Sequence, residues 1–150
     1  MKILLKNQQR HRLINRTKII KAAAHILSLL KQPRLSIAEL SILFVGNRKM
    51  KQLNSDFRGI RGSTDVLSFE AGIPVREDGQ NHVLGDIVIC IPKAESQAKA
   101  AGTGFYEELN RLLIHGILHL TGYDHEASDY RARKMRKKEG DILNALEKMV

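Results

Sequence analysis

The chain has 150 residues, of which 43% are hydrophobic and 27% are charged. A domain of this length buries roughly 68–70% of its unfolded surface, so we expect one domain over residues 1–150 that needs no covalent staple. The single cysteine, Cys90, excludes an intramolecular disulfide and a CxxC metal or redox pair, and it favours a reducing cytoplasm. No uncharged apolar run reaches the roughly 18 residues of a membrane span, and the N-terminal segment does not indicate secretion.

The chain is basic, with 25 lysines and arginines against 16 aspartates and glutamates and a formal charge of +9. This excess fits either an anionic partner or a basic surface that keeps the protein dissolved. Aromatic residues make up only 5% of the sequence, and no basic-aromatic run is typical of a base-stacking platform. For a nucleic-acid partner, the composition therefore predicts contact with the phosphate backbone in preference to stacking.

The first half of the chain predicts a mixture of helices and strands. Apolar residues at helical spacing predict a helix over 13–30, which ends before Pro33. The segment 36–45 reads as a strand, and Asn47 can cap a helix through residue 57. A glycine-rich loop leads to a second strand over 64–69.

The second half begins with an irregular stretch, residues 71–82, which we expect to be a flexible loop. The clearest strand, LGDIVICI, follows, and Pro92 suits the first position of the next helix. The remaining predicted elements are a helix to residue 101, a helix over 105–121 ended by Gly122, and a charged helix over 128–149. The pattern predicts an α+β fold in which helices pack on a small mixed sheet.

Three histidines in the segment HGILHLTGYDH indicate a metal site. His115 and His119 are four residues apart on a predicted helix, so their imidazoles project from the same face. Gly122 can take a positive φ and reverse the chain so that His125 returns toward the same ion. The frame HxxxHxxGxxH is that of a class of zinc hydrolases, and three imidazoles without a fourth protein ligand leave one position for water.

Two other interpretations of this segment stay open. The histidines could be a hydrogen-bonded core pair, or they could form a closed structural site completed by Asp124 or Glu126. Three imidazoles also suit other divalent metals such as nickel, copper or iron. We assign no role to the three remaining histidines, His11, His25 and His82.

The motifs LNSDFRG, TDVLSF, LGDIVIC and HGILHLTGYDH occur in this order, and together they resemble the YbeY family of single-strand-specific endoribonucleases that act in ribosomal RNA maturation. The resemblance covers most of residues 50–140 and implies a four-stranded sheet packed with about five to six helices. It also implies that the three histidines bind one Zn²⁺ and that Arg58 is an active-site residue. One departure is Glu70, where many members have proline.

The resemblance leads to a hypothesis of metal-assisted hydrolysis of an RNA phosphodiester. Arg58 could offer paired donors to the phosphate oxygens, and Arg61 is a weaker second candidate. The residue after the first histidine is Gly116, where the zinc peptidases have their catalytic glutamate, so the general base must lie elsewhere. Asp124 and Asp86 are the candidates for it, although either could instead have a structural role.

Two rival functions remain. The histidine frame alone would fit a metallopeptidase, against which Gly116 argues. The positive charge would also fit a non-enzymatic ribosome assembly factor that binds RNA and keeps a structural metal. The basic residues of the last predicted helix occupy several of its faces, so the sequence does not show which of them contact RNA. The sequence does not predict the oligomeric state.

Overall fold

A computed structural model describes residues 1–70, 82–124 and 126–148 of the chain. These residues form four strands, five α-helices and one short 3₁₀ helix. The strands are β1 Lys2–Gln8, β2 Ala38–Val45, β3 Val66–Glu70 and β4 His82–Cys90. The helices are α1 Arg16–Leu29, the 3₁₀ helix Pro33–Ile37, α2 Asn47–Arg58, α3 Ile91–Ala101, α4 Phe105–Leu120 and α5 Asp129–Glu147.

The four strands form one mixed sheet in the order β1-β2-β4-β3. Strands β1, β2 and β4 are parallel, whereas β3 runs antiparallel to β4 with Leu67 opposite Val88. This arrangement confirms the predicted α+β fold with a small mixed sheet. Strand β1 was missing from the predicted elements because it is an edge strand that buries only Leu5, so its sequence lacks the apolar content of an inner strand.

The two faces of the sheet carry apolar layers of different size. Along β4, Ile87 and Ile89 belong to the large core shared with α1, α4 and α5, whereas Val88 and Cys90 belong to a small cluster with Met50 of α2. This alternation follows from the two-residue period of a strand. The large core fixes α4 against one face of the sheet, and α2 covers part of the other.

Gly85 is needed where α4 approaches the sheet. Its φ is +149°, and a Cβ atom there would lie 2.3 Å from the carbonyl oxygen of Phe69 and 2.9 Å from Cδ2 of Leu120. No side chain fits between that backbone and that leucine. Gly85 therefore lets the last turn of α4, which carries His119, pack directly over the end of β3.

Most predicted boundaries agree with the structure to within a few residues, but the predicted cap of α2 was wrong. Asn47 is the first residue of α2 and Gly46 occupies the cap position, while the Asn47 side chain accepts a hydrogen bond from the Cys90 thiol at 3.2 Å.

The loop predicted over 71–82 lies outside the described residues except for His82, where β4 begins. Within the described part of the chain, no helix is long and apolar enough to cross a membrane.

Candidate active site

A cleft of about 540 Å³ opens beside the edge strand β3, between the ends of α2 and α4. It brings together Arg58, His115, His119 and Asp124, four of the residues that the sequence singled out. The other described residues that line it are Phe57, Thr64, Asp65, Val66, Leu67, Ser68, Phe69 and Glu126. Residues from four separate parts of the chain therefore share one solvent-accessible site.

The histidine pair forms the α4 wall of this cleft. The Nε2 atoms of His115 and His119 are 3.1 Å apart, and the Nδ1 atom of His115 lies 2.8 Å from a carboxylate oxygen of Glu139 on α5. The side chains of His115 and Glu139 are 28% and 20% exposed. Both imidazoles thus present Nε2 to a common point, and a carboxylate from a second helix orients one ring from behind.

The end of α4 turns the chain sharply after His119. The Tyr123 amide donates to the Leu118 carbonyl at 2.9 Å and the Gly122 amide donates to the His119 carbonyl at 3.3 Å, which is the hydrogen-bond pattern of a Schellman motif. Gly122 has the predicted positive φ, +106°. The turn leads Tyr123 and Asp124 back beside the helix, and Asp124 reaches the cleft. His125 itself lies outside the described residues.

The donor set on α4 fits a zinc ion. Two nitrogen ligands on a tetrahedral zinc, each at roughly 2.0–2.1 Å, are about 3.3 Å apart, close to the 3.1 Å between the two Nε2 atoms. A carboxylate on the other ring nitrogen of a histidine is also the usual companion of a metal ligand. The described residues contain no group of three metal-binding side chains, and the predicted third ligand, His125, is not among them.

The opposite wall comes from α2 and β3. Arg58 is the last residue of α2, and Gly59 ends the helix in a left-handed conformation with φ of +64°. One turn earlier, the buried Asn54 donates from Nδ2 to the Gly62 carbonyl at 3.0 Å and so holds the following loop against the helix. Phe57 beside Arg58 is 67% exposed and contacts Phe69 of β3 edge to face.

The carboxylates of Asp65, Asp124 and Glu126 line the cleft between these walls. Asp65 accepts hydrogen bonds from the Val66 amide at 2.8 Å and from Gln97 at 3.4 Å, and Asp124 accepts one from the Glu126 amide at 2.9 Å. These bonds tie both aspartates to the local backbone. The other proposed base, Asp86, is an exposed β4 residue opposite Phe69 in the sheet, and it is not among the described residues that line the cleft.

Arg111 lies one turn before His115 on α4. Its hydrogen bond to the buried Glu108 raises the pKa of the Arg111 guanidinium, and the charges of Asp65 and Glu139 add to the effect. A positive charge therefore stands near both Asp65, which lines the cleft, and Glu139, which lies behind His115, and it partly balances these two carboxylates.

The role of Glu139 was not predicted from the sequence, although its position carries a signal. Met135, Ile142 and Leu146 form the buried stripe of α5, and Glu139 falls on that stripe at helical spacing. An acidic residue on the apolar face of a helix needs a partner, and here the partner is His115. Phe57 was missed because an isolated exposed aromatic has no signature in the sequence.

Gly116, which replaces the peptidase glutamate, faces the sheet. A Cβ atom at this position would lie 3.0 Å from Cδ1 of Ile87, a fully buried residue of β4. A glutamate there would be forced into the apolar core and would not reach the cleft. The local packing thus argues against the arrangement that the metallopeptidase interpretation requires.

The chain is similar to many proteins of one family. The family model described as endoribonuclease YbeY matches residues 4–147. A protein named endoribonuclease YbeY from Thermodesulfovibrio yellowstonii is 52% identical over 108 residues, which cover 72% of this chain and 67% of that protein. A protein of the same name from Geobacter sulfurreducens is 38% identical over 148 residues, covering 98% of this chain and 97% of that one.

One solved structure has a similar fold. A solution structure of a Thermotoga maritima protein superposes with a TM-score of 0.62 at 29% identity, covering 94% of this chain and 86% of that one. The family match extends over nearly the whole chain and includes both walls of the cleft. The chain therefore belongs to the YbeY family of endoribonucleases.

Proposed function

We propose that this protein is a zinc-dependent endoribonuclease that cuts single-stranded RNA during ribosomal RNA maturation in the cytoplasm. The observation that carries the proposal is the placement of a carboxylate-backed histidine pair and Arg58 in one cleft. The three ligands would be His115, His119 and His125. Membership of the family supports RNA as the substrate, and the formal charge of +9 suits a polyanion.

Each wall of the cleft would have a separate task. The bound ion would polarise a phosphate oxygen or lower the pKa of a bound water. Glu139 would hold the His115 ring in the tautomer that presents Nε2 to the cleft. Arg58 would bind the phosphate and stabilise the negative charge that grows on its oxygens in the transition state, a task for which the planar guanidinium is suited.

Asp124 is our candidate for the general base, because it lines the cleft and Asp86 does not. Its hydrogen bond from the Glu126 amide would fix the direction of the carboxylate without preventing it from taking a proton. The nature of the products identifies the nucleophile. Attack by the ribose 2′-hydroxyl would leave a 2′,3′-cyclic phosphate and spare a 2′-deoxy linkage, whereas attack by water would do neither.

The decisive experiment measures metal content and RNA cleavage in the same samples. Wild-type protein, loaded with zinc, should bind one ion per chain and cut a single-stranded oligoribonucleotide faster than its duplex. Reconstitution with nickel would show whether the chemistry is specific to zinc. Wild-type protein that binds zinc but leaves every RNA intact would contradict the proposal.

The same samples separate the two rival functions. Cleavage of a peptide library without cleavage of RNA would indicate a peptidase. A histidine-to-alanine variant that still binds RNA tightly and restores ribosome maturation in cells would indicate an assembly factor with a structural metal.

A further inference from the structure

We propose that Phe57 is a stacking platform for one unpaired base of the RNA next to the phosphate that is cut, and that this contact contributes to the preference for single strands. The inference rests on the proposed function, since it names how the same cleft recognises its substrate. It also changes an expectation from composition, which favoured phosphate contacts over stacking.

The first observation is the exposure of Phe57 inside the cleft. Phe57 is 67% exposed, and its contact with Phe69 is edge to face, with ring centroids 5.3 Å apart and planes at 64°. Phe69 thus supports Phe57 and leaves most of its surface accessible. A single exposed phenylalanine is ordinary on a protein surface. Phe57, however, lines the cleft that also holds Arg58, His115 and His119.

The second observation is the direct sequence neighbour of Phe57. Arg58 follows it at the end of α2, and both side chains line the same cleft. A nucleotide offers an anionic phosphate and a flat apolar base a few ångströms apart, and an arginine beside an aromatic ring matches that pair of groups. The carboxylates of Asp65, Asp124 and Glu126 also line the cleft and would repel phosphate. Among the described residues that line it, Arg58 is the lysine or arginine on which a phosphate can settle.

Stacking on Phe57 explains why a single strand would be preferred. Bases in a duplex are already stacked on their neighbours and cannot lie on a protein ring, whereas bases of a single strand can be splayed out. One base on an aromatic side chain changes affinity by about 5- to 150-fold. A contact of this size would be enough to separate paired from unpaired RNA.

The test couples a change in the protein to a change in the RNA. Phe57→Leu keeps apolar bulk against Phe69 but removes the aromatic face, and Phe57→Tyr keeps the face. The substrates are a single-stranded oligoribonucleotide and copies of it with one abasic nucleotide at each position around the cleavage site. Cleavage is measured as kcat and KM with zinc-loaded protein, and binding is measured by fluorescence anisotropy with metal-free protein.

We expect Phe57→Leu to weaken binding of intact RNA by about 5- to 150-fold, mostly through KM, and Phe57→Tyr to behave like wild type. One abasic position should cost wild-type protein a similar factor and cost Phe57→Leu nothing more, because the two changes remove the same contact. Tyr130→Leu is the matched control. Tyr130 is 66% exposed but lines a neighbouring groove with Arg131 and Lys134, so it should not couple to that abasic position.

Independent, additive losses in Phe57→Leu and in the abasic RNA would overturn the inference, as would a Phe57→Leu variant with wild-type affinity. If the variant fails to fold, the abasic scan on wild-type protein still tests the inference. A scan in which no abasic position weakens binding would exclude stacking of a base on Phe57. Failure of the proposed function looks different. Wild-type protein would then cut no RNA, while the anisotropy measurements would still show whether a base stacks on Phe57.

Discussion

The two walls of the cleft are built in opposite ways. On the α4 wall, His115 is partly buried, contacts His119 and is held by Glu139 from a neighbouring helix. On the α2 wall, Arg58 and Phe57 are exposed side chains at a helix end. One wall is fixed by the hydrophobic core behind it, whereas the other can adjust to whatever enters the cleft.

This difference matches the demands of the proposed chemistry. A metal ion needs ligands fixed within a few tenths of an ångström, which requires packed helices and hydrogen-bonded rings. A flexible single strand arrives in many conformations, and an exposed arginine can follow its phosphate at little cost to the fold. We therefore expect substitutions on the α4 wall to change metal binding and substitutions on the α2 wall to change only the use of RNA.

The largest effect should come from His119→Ala. Loss of one imidazole should leave the protein without stoichiometric zinc and reduce RNA cleavage by more than the roughly 10²–10³-fold that a single transition-state donor contributes. Elemental analysis and a cleavage assay check this together. His25→Ala, a histidine of α1 outside the cleft, is the control and should keep both zinc and activity. Equal zinc content in the two variants would remove His119 from the metal site.

The second largest effect should come from Arg58→Ala. This variant tests whether the α2 wall affects RNA cleavage without affecting metal binding at the α4 wall. We expect kcat to fall about 10²–10³-fold while zinc content and thermal stability stay at wild-type values. Arg58→Lys should recover only part of the rate because an ammonium group cannot donate in parallel to two oxygens. Arg61→Ala is the control, since Arg61 is exposed and does not line the cleft. A zinc-deficient Arg58→Ala protein would contradict the division between the walls.

Substitutions of Glu139 should have a smaller effect, which we expect on zinc affinity. Glu139→Ala should weaken zinc affinity up to about 100-fold, and Glu139→Gln about 10-fold because an amide oxygen still accepts from His115 Nδ1. Competition with a chromophoric chelator measures the affinity, and nitrogen NMR of the His115 ring reports its tautomer. Asp141→Asn removes an exposed carboxylate from the same helix and should change neither. An unaltered ring tautomer in Glu139→Ala would show that Glu139 has no positioning role.

More of the geometry of the α4 wall than of the α2 wall could be predicted from the sequence. Helical spacing alone placed His115 and His119 side by side, and Gly122 signalled the turn, because both follow from local backbone geometry. The partnership of His115 with Glu139 spans two helices and depends on how they pack, which no local pattern encodes. Likewise, the sequence does not show which of the two candidate bases lies at the cleft, because the tertiary packing alone places Asp124 there and not Asp86.

The smallest effect we predict tests how tightly the α4 wall is packed. In Gly116→Ala the new methyl group would lie 3.0 Å from Ile87 Cδ1, and such crowding costs about 1–3 kcal/mol. The gain in helix propensity from glycine to alanine, about 1 kcal/mol, offsets part of this cost. Urea unfolding should therefore show a net loss of about 0–2 kcal/mol.

Gly140→Ala provides the comparison within one protein. Gly140 lies in α5, and apart from its own helix turn no described atom lies within 4 Å of its missing Cβ, so alanine there should stabilise the fold by about 0.5–1 kcal/mol. The two substitutions make the same chemical change in a helix and differ only in the space around them. In an Ile87→Ala background, which removes the three crowding atoms Cδ1, Cγ1 and Cγ2, the cost of Gly116→Ala should shrink while the gain from Gly140→Ala stays the same. Equal stabilisation by both alanines would mean that α4 can shift away from the sheet, and the histidine pair would then be less rigid than its packing implies.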